Sequence, residues 1–231
     1  MSATGAGRFA PPAVRRHDEA AECGASDALP PQTRTREAVD LSGLPEWSFG
    51  PKSPVWWGTL GFVAIEGAGF VLAIGAHLYL WQQNTEWPLS AAPPDLWPGT
   101  LNLGILLASL LPNWWVDRAA KRQDLRRVRI GLVVMTLLSL APLVVRGFEF
   151  ADLEVRWDQN AYGSMVWLLL GLHTLHLGTD WGDTAVLAAL MFTRHARGKR
   201  FSDVSDNAFY WYFVVGAWVP IWFLLYILPR L

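Results

Sequence analysis

Long apolar runs alternate with short polar segments from residue 55 to the end of the chain. Five runs stand out, at 55–80, 98–116, 130–145, 162–192 and 208–228. Each can cross a hydrocarbon core of about 30 Å at about 1.5 Å per helical residue, the third with least to spare. The fourth exceeds one crossing and is expected to tilt or to project from the bilayer. Strand-length alternation of apolar and polar residues is absent, so a β-barrel does not fit. The pattern predicts an all-α integral membrane protein, a bundle of five transmembrane helices over 55–231. Small residues at Gly58, Gly61, Ala64, Ala68 and Gly75 in the first run suit close approach of helix backbones.

Residues 1–54 have a different texture. They are rich in Ala, Pro, Gly, Glu and Arg and follow neither helical nor strand period. They are expected to form a flexible, disordered tail. Residues 1–18 include Arg8, Arg15 and Arg16 but no apolar core of signal-peptide length, so a cleavable signal is not expected.

Charge sets the orientation. The tail carries Arg34, Arg36 and Lys52, and the segment 81–97 has only Glu86 and Asp95. Six Lys or Arg then fall between Arg118 and Arg129. The next loop holds Glu149, Asp152, Glu154 and Asp158 against Arg156, and the following one Arg194, Arg197, Lys199 and Arg200. Basic loops stay on the cytoplasmic side, which predicts a cytoplasmic N-terminus and an external C-terminus. In a bacterium this is the inner membrane, with the C-terminus in the periplasm.

Composition narrows the function. Hydrophobic residues make up 52% of the chain, charged ones 17%, and the net charge is −1. No broad basic surface for nucleic acid is implied. The fourteen Trp include Trp56, Trp57, Trp81, Trp97, Trp114 and Trp115 near run ends, where an indole buries its ring and keeps its N–H wet. A single cysteine, Cys23, excludes disulfides and paired-thiolate metal sites within one chain. No phosphate-binding loop, nucleophile elbow or His-Glu-x-x-His spacing is present.

Polar groups inside the apolar runs are the candidate functional residues, because burying them unpartnered is costly. Glu66 sits near the middle of the first run and reads either as a proton- or lipid-linked carboxyl or as a protonated Glu bonded to a neighbouring helix. His77 follows about three turns later on roughly the same side. His173 and His176 share a face of the fourth run, with Asp180 and Asp183 after them. A His on each of two helices could hold one haem, as in a b-type membrane cytochrome; interhelical hydrogen bonding is the simpler use. A small transporter fits less well, since internal repeats and matched broken helices are not evident.

From the first run onward the chain resembles subunit III of the haem–copper terminal oxidases, the cytochrome c oxidase family. The residues that carry the resemblance come in order. Leu101-Asn102, Leu106-Leu107-Ala108-Ser109 and Trp115 resemble the family's second-run pattern, with Leu103 at the usual Thr. Glu149 and then Tyr162-Gly163-Ser164 follow, and Gly171-Leu172-His173-Thr174-Leu175-His176-Leu177 is similar to Gly-Phe-His-Gly-Leu-His-Val. Tyr210-Trp211-Tyr212-Phe213-Val214 with Trp218 closes the series; Tyr212 stands at the usual His and Val215 at the usual Asp, marking a divergent branch. Seven spans are common in the family, and the resemblance implies a short five-helix bacterial form lacking the first two.

The resemblance implies a non-catalytic subunit of a proton-pumping terminal oxidase, working in aerobic respiration from cytochrome c to oxygen. Haem and copper would lie in partner subunits and none in this chain. The chain would pack on subunit I, with subunit II in the complex, hold structural phospholipid and support proton uptake. A subunit III-like accessory protein of nitric oxide reductase, or a quinol oxidase subunit, are the related alternatives. Glu66, His77, Asn102, Glu149, His173 and His176 are the buried polar, proton-linked or lipid-linked candidates; no catalytic or metal-binding residue is expected.

Overall fold

The computed structural model describes residues 47–89, 92–194, 196 and 198–231. The predicted tail as far as residue 46, with Cys23, lies outside them. The described chain is built on five long helices: α1 (Pro54–Gln83), α2 (Leu96–Lys121), α3 (Leu125–Ala151), α4 (Ala161–Met191) and α5 (Gly198–Trp222). A π-helical turn at Phe223–Ile227 and a 3-10 turn at Leu228–Arg230 continue α5 to the C-terminus.

Local chemistry marks the helix starts. The Asp124 side chain accepts from the Arg127 N–H at 3.2 Å and caps α3. Asn160 caps α4 by accepting from the Gly163 N–H at 2.7 Å. Its amide also donates to the Leu89 carbonyl at 3.1 Å, so one side chain starts a helix and pins the α1–α2 connection. Pro112 and Pro142 lie inside α2 and α3 without ending them, as packed membrane helices allow.

Three helices are long and apolar enough to cross a membrane by length and composition: Pro54–Gln83, Leu125–Ala151 and Gly198–Arg230. The other two, α2 and α4, bury many polar residues against their neighbours, among them Asn102, Ser109, Asn113, His173, Asp180 and Thr184. The outer surface is the reverse: Ile65, Leu72 and Leu111 are each about 75% exposed. Apolar outside and polar inside is the distribution of a membrane protein, not of a water-soluble bundle.

The helices exceed the apolar runs where polar ends project. The third run at 130–145 becomes a helix over Leu125–Ala151, because the Arg-rich start and the Arg146–Glu149 end are both helical. The α2, α3, α4 and α5 helices enclose the core, centred on Trp211, Trp218, Tyr162, Leu169, Leu170 and Ile221. Helix α1 is peripheral. Among its residues Phe70, Ala73 and His77 are buried, a narrow seam against α4 and α5.

The boundary of the tail falls earlier than residue 54. Residues 47–53 already pack on the start of α5: the Trp47 ring covers Gly198 so closely that a Cβ there would overlap it. Ser202 Oγ donates to the Ser48 carbonyl at 2.7 Å. An apolar indole and one polar contact, set in a polar stretch without period, give no local signal of this docking.

Candidate functional site

Two polar centres lie inside the bundle. The first joins α3, α4 and α5. Arg146 Nη1 donates to Glu149 Oε2 at 2.6 Å, and Arg146 Nη2 donates to His173 Nδ1 at 3.1 Å. A guanidinium only donates, so Nδ1 is the acceptor and the ring proton sits on Nε2. From there it is donated to the Val214 carbonyl at 3.1 Å. The guanidinium also lies 3.9 Å from the Trp218 ring centroid, and the His173 ring is 4.8 Å from the same indole. Arg146, His173 and Trp218 are completely buried.

Asn102 of α2 completes this centre. Its side chain is buried beside the Glu149 carboxylate but forms no hydrogen bond of good geometry. A buried Arg–Glu pair costs desolvation of both ions, and it is retained only where further donors and acceptors compensate. Here the His173 ring and the Trp218 face contribute part of that compensation, while Glu149 Oε1 and Arg146 Nε stay without hydrogen-bond partners. The pair links one turn of α3 to facing residues of α4 and α5.

The second centre joins α1, α4 and α5. Tyr210 Oη donates to Glu66 Oε2 at 2.7 Å, and Glu66 Oε1 lies 3.4 Å from His176 Nε2. His176 Nδ1–H donates to the Leu172 carbonyl at 2.7 Å, so Nε2 is the nitrogen that faces Glu66. The Phe70 ring packs on His176 at 4.7 Å between centroids.

Glu66 also borders a cleft of about 660 Å³ between α1, α4 and α5. Its walls include the apolar Val55, Phe62, Val186 and Leu190, and the polar Asp183, Asp203, Asp206, Asn207 and Arg200.

The predicted site residues therefore divide into two groups and one outlier. Asn102, Glu149 and His173 meet around Arg146, and Glu66 meets His176. His77 joins neither centre: it is buried against Trp87 and Tyr162, 5.2 and 6.3 Å between ring centroids, with Nδ1 unpartnered. His77 and His173 lie in separate surroundings, and both ring nitrogens of His173 are engaged, by Arg146 and by the Val214 carbonyl. Among the described residues no group of three or more His, Cys, Asp or Glu could hold a metal ion.

Arg146 is absent from the sequence-based set. It falls one residue beyond the third apolar run, where a basic residue reads as the end of a span. The Glu at the i+3 position is the signal that could have found it. Tyr210, too, carries no local mark of its bond to Glu66.

The fold and the two centres define a class: an all-α membrane bundle held by buried ionic and aromatic contacts between helices. A family model for "Cytochrome c oxidase subunit III" matches residues 60–229, and the chain belongs to that family. Cytochrome c oxidase subunit 3 of Thermostichus vulcanus is 26% identical over 176 residues, 75% of this chain and 87% of the relative. Its counterpart in Synechocystis is 25% identical over 178 residues, 74% of this chain and 75% of the relative. That of Artemia franciscana is 29% identical over 144 residues, and there the match spans only 54% of the relative's length.

Proposed function

We propose that this chain is the non-catalytic subunit III of a haem–copper terminal oxidase, packed beside subunit I in a complex with subunit II. All five helices cross the bacterial inner membrane, with the N-terminus cytoplasmic and the C-terminus periplasmic. Haem and copper belong to the partner subunits, and cytochrome c is the electron donor of the complex.

The observation that carries the reading is the use made of the polar interior. The membrane-depth cation, Arg146, is spent on Glu149, His173 and Trp218, and Glu66 is spent on Tyr210 and His176. These contacts tie helices together and leave the intramembrane His173 with no free nitrogen for a metal. Family membership supplies the oxidase; the interior supports a structural role within it.

The cleft between α1, α4 and α5 supports the lipid part of the reading. The long apolar wall suits an acyl chain, and the polar end, where Arg200 is paired with Asp203 at 2.8 Å beside Asp183 and Asp206, suits a headgroup that carries a positive charge. The Glu66 carboxyl, at the cleft's inner wall, links that lipid and the local proton balance to the bundle. Through packing, lipid and local charge the subunit stabilises subunit I and supports its proton uptake.

The test is removal of the chain from the complex in native membranes. A subunit III lacking redox centres leaves haem content and initial turnover intact while sustained turnover or proton uptake falls. Loss of haem in proportion to the lost chain contradicts the proposal.

A further inference from the structure

Asp180 of α4 takes part in neither polar centre. It is 1% exposed, and neither carboxylate oxygen makes a hydrogen bond of good geometry, although the Thr184 side chain lies beside it one turn on. It borders a narrow cavity of about 10 Å³, the size of one water molecule. The polar side chains around that cavity come from three helices: Asn113 of α2, Thr184 of α4 and Asn207 of α5.

The hydrogen bonds of both amides use their N–H groups. Asn207 Nδ2 donates to Thr184 Oγ1 at 2.9 Å, and Asn113 Nδ2 donates to the Ala208 carbonyl at 2.9 Å. Each amide has given one N–H and keeps its carbonyl oxygen. A water in the cavity can donate to Asp180 and to one amide oxygen, the several polar partners a buried water needs.

Asn207 borders both this cavity and the large cleft that holds Asp183, Asp203 and Asp206. Asn207, held to Thr184 at 2.9 Å, is thus the side chain shared by the two spaces.

The charges around Asp180 decide its occupant. On its own helix stand Asp183 and His176; on α5 stand Tyr210 and Asp206, with Asp203 beside the latter. On α2 Asp117 is paired with Lys121 at 2.6 Å. On α1 Glu66 is held by Tyr210, and on α3 Arg129 is turned to the Met191 carbonyl. The Asp183 carboxyl adds like charge and, among the described residues, no cation pairs with Asp180, so a bare negative charge there is strongly disfavoured.

We propose that Asp180 is a proton-binding site of this chain, loaded from the α1–α4–α5 cleft through a single bound water gated by Asn207. A proton arriving as hydronium passes to the inner water and from it to an Asp180 oxygen. The water is regenerated, and Asn207 orients it without gaining or losing a proton. This concerns the chain's own protonation and stands whether or not the subunit serves the oxidase's proton uptake.

The test is infrared spectroscopy of the purified complex, in the carbonyl-stretch region of protonated carboxylic acids, after transfer to heavy water. The wild type minus Asp180→Asn spectrum is expected to show a protonated carboxyl band that shifts on deuteration. Asp180→Glu is expected to move the same band, which assigns it even if the Asn variant does not assemble. Asn207→Leu is expected to keep the band and slow its exchange roughly tenfold, the effect of losing one hydrogen-bonded link. A band that is absent, or that vanishes on adding sodium chloride, overturns the proposal, the latter outcome marking a metal-cation site. Equal exchange rates in wild type and Asn207→Leu overturn the route.

Discussion

Arg146 and Glu149, three residues apart at the end of α3, form an ion pair of 2.6 Å with both side chains out of solvent. The contact is local in sequence, yet its other bonds reach α4 and the Trp218 ring on α5. Replacing one partner leaves the other as an uncompensated buried charge, which typically costs about 3–5 kcal/mol. Arg146→Leu and Glu149→Leu are each expected to lower the thermal midpoint of the purified complex sharply. The double variant is expected to lose less than the sum of the two. Arg146→Lys is expected to fall well short of wild type, because an ammonium cannot fork to both Glu149 and His173.

Glu66 and Tyr210 give a separate expectation. Glu66→Ala is expected to leave haem content unchanged and to shorten the active lifetime or lower proton-uptake efficiency. Tyr210→Phe removes one hydrogen bond, a net loss of about 1 kcal/mol, and is expected to have a smaller effect in the same direction. Haem loss in Glu66→Ala would show that the carboxyl serves assembly of the metal centres instead.

Close helix packing is testable at glycine. A Cβ at Gly131 of α3 would overlap Val116 of α2 and crowd the Trp115 ring, whereas one at Gly104 meets nothing within 4 Å. Gly131→Ala is expected to destabilise by about 1–3 kcal/mol despite the better helix propensity of Ala. Gly104→Ala, the control, is expected to be neutral or slightly stabilising. Thermal midpoints of the two variants, measured side by side, check this.

Orientation follows from the loops. In a Cys23→Ser background, Asp152→Cys is expected to react with an impermeant thiol reagent from the periplasmic side. Gln123→Cys is expected to react only after permeabilisation. Both positions are exposed, so the reverse pattern would invert the topology.

The five helices are legible in the sequence because apolar runs and charged breaks repeat on the scale of a bilayer. The depth of Glu66, Asn102 and His173 is legible for the same reason. Their partners are not. The contact of Glu66 with Tyr210 spans 144 positions, and no periodicity records which faces meet across such a separation. Arg146 is hidden by the rule that makes the loops readable: a basic residue at the end of an apolar run looks like the membrane edge. His77, on roughly the same helix side as Glu66, packs on Trp87 and Tyr162, contacts that its spacing does not record. The docking of Trp47 on Gly198 rests on shape alone.

The most direct test of the central claim is purification of the tagged chain from its native membranes in mild detergent. The absorbance spectrum is then recorded before and after the chain is separated from its partners. Oxidase subunits I and II are expected to co-purify, with the haem Soret band following subunit I and the separated chain lacking it. A stoichiometric Soret band on the separated chain, or co-purification of no oxidase subunit, would contradict it.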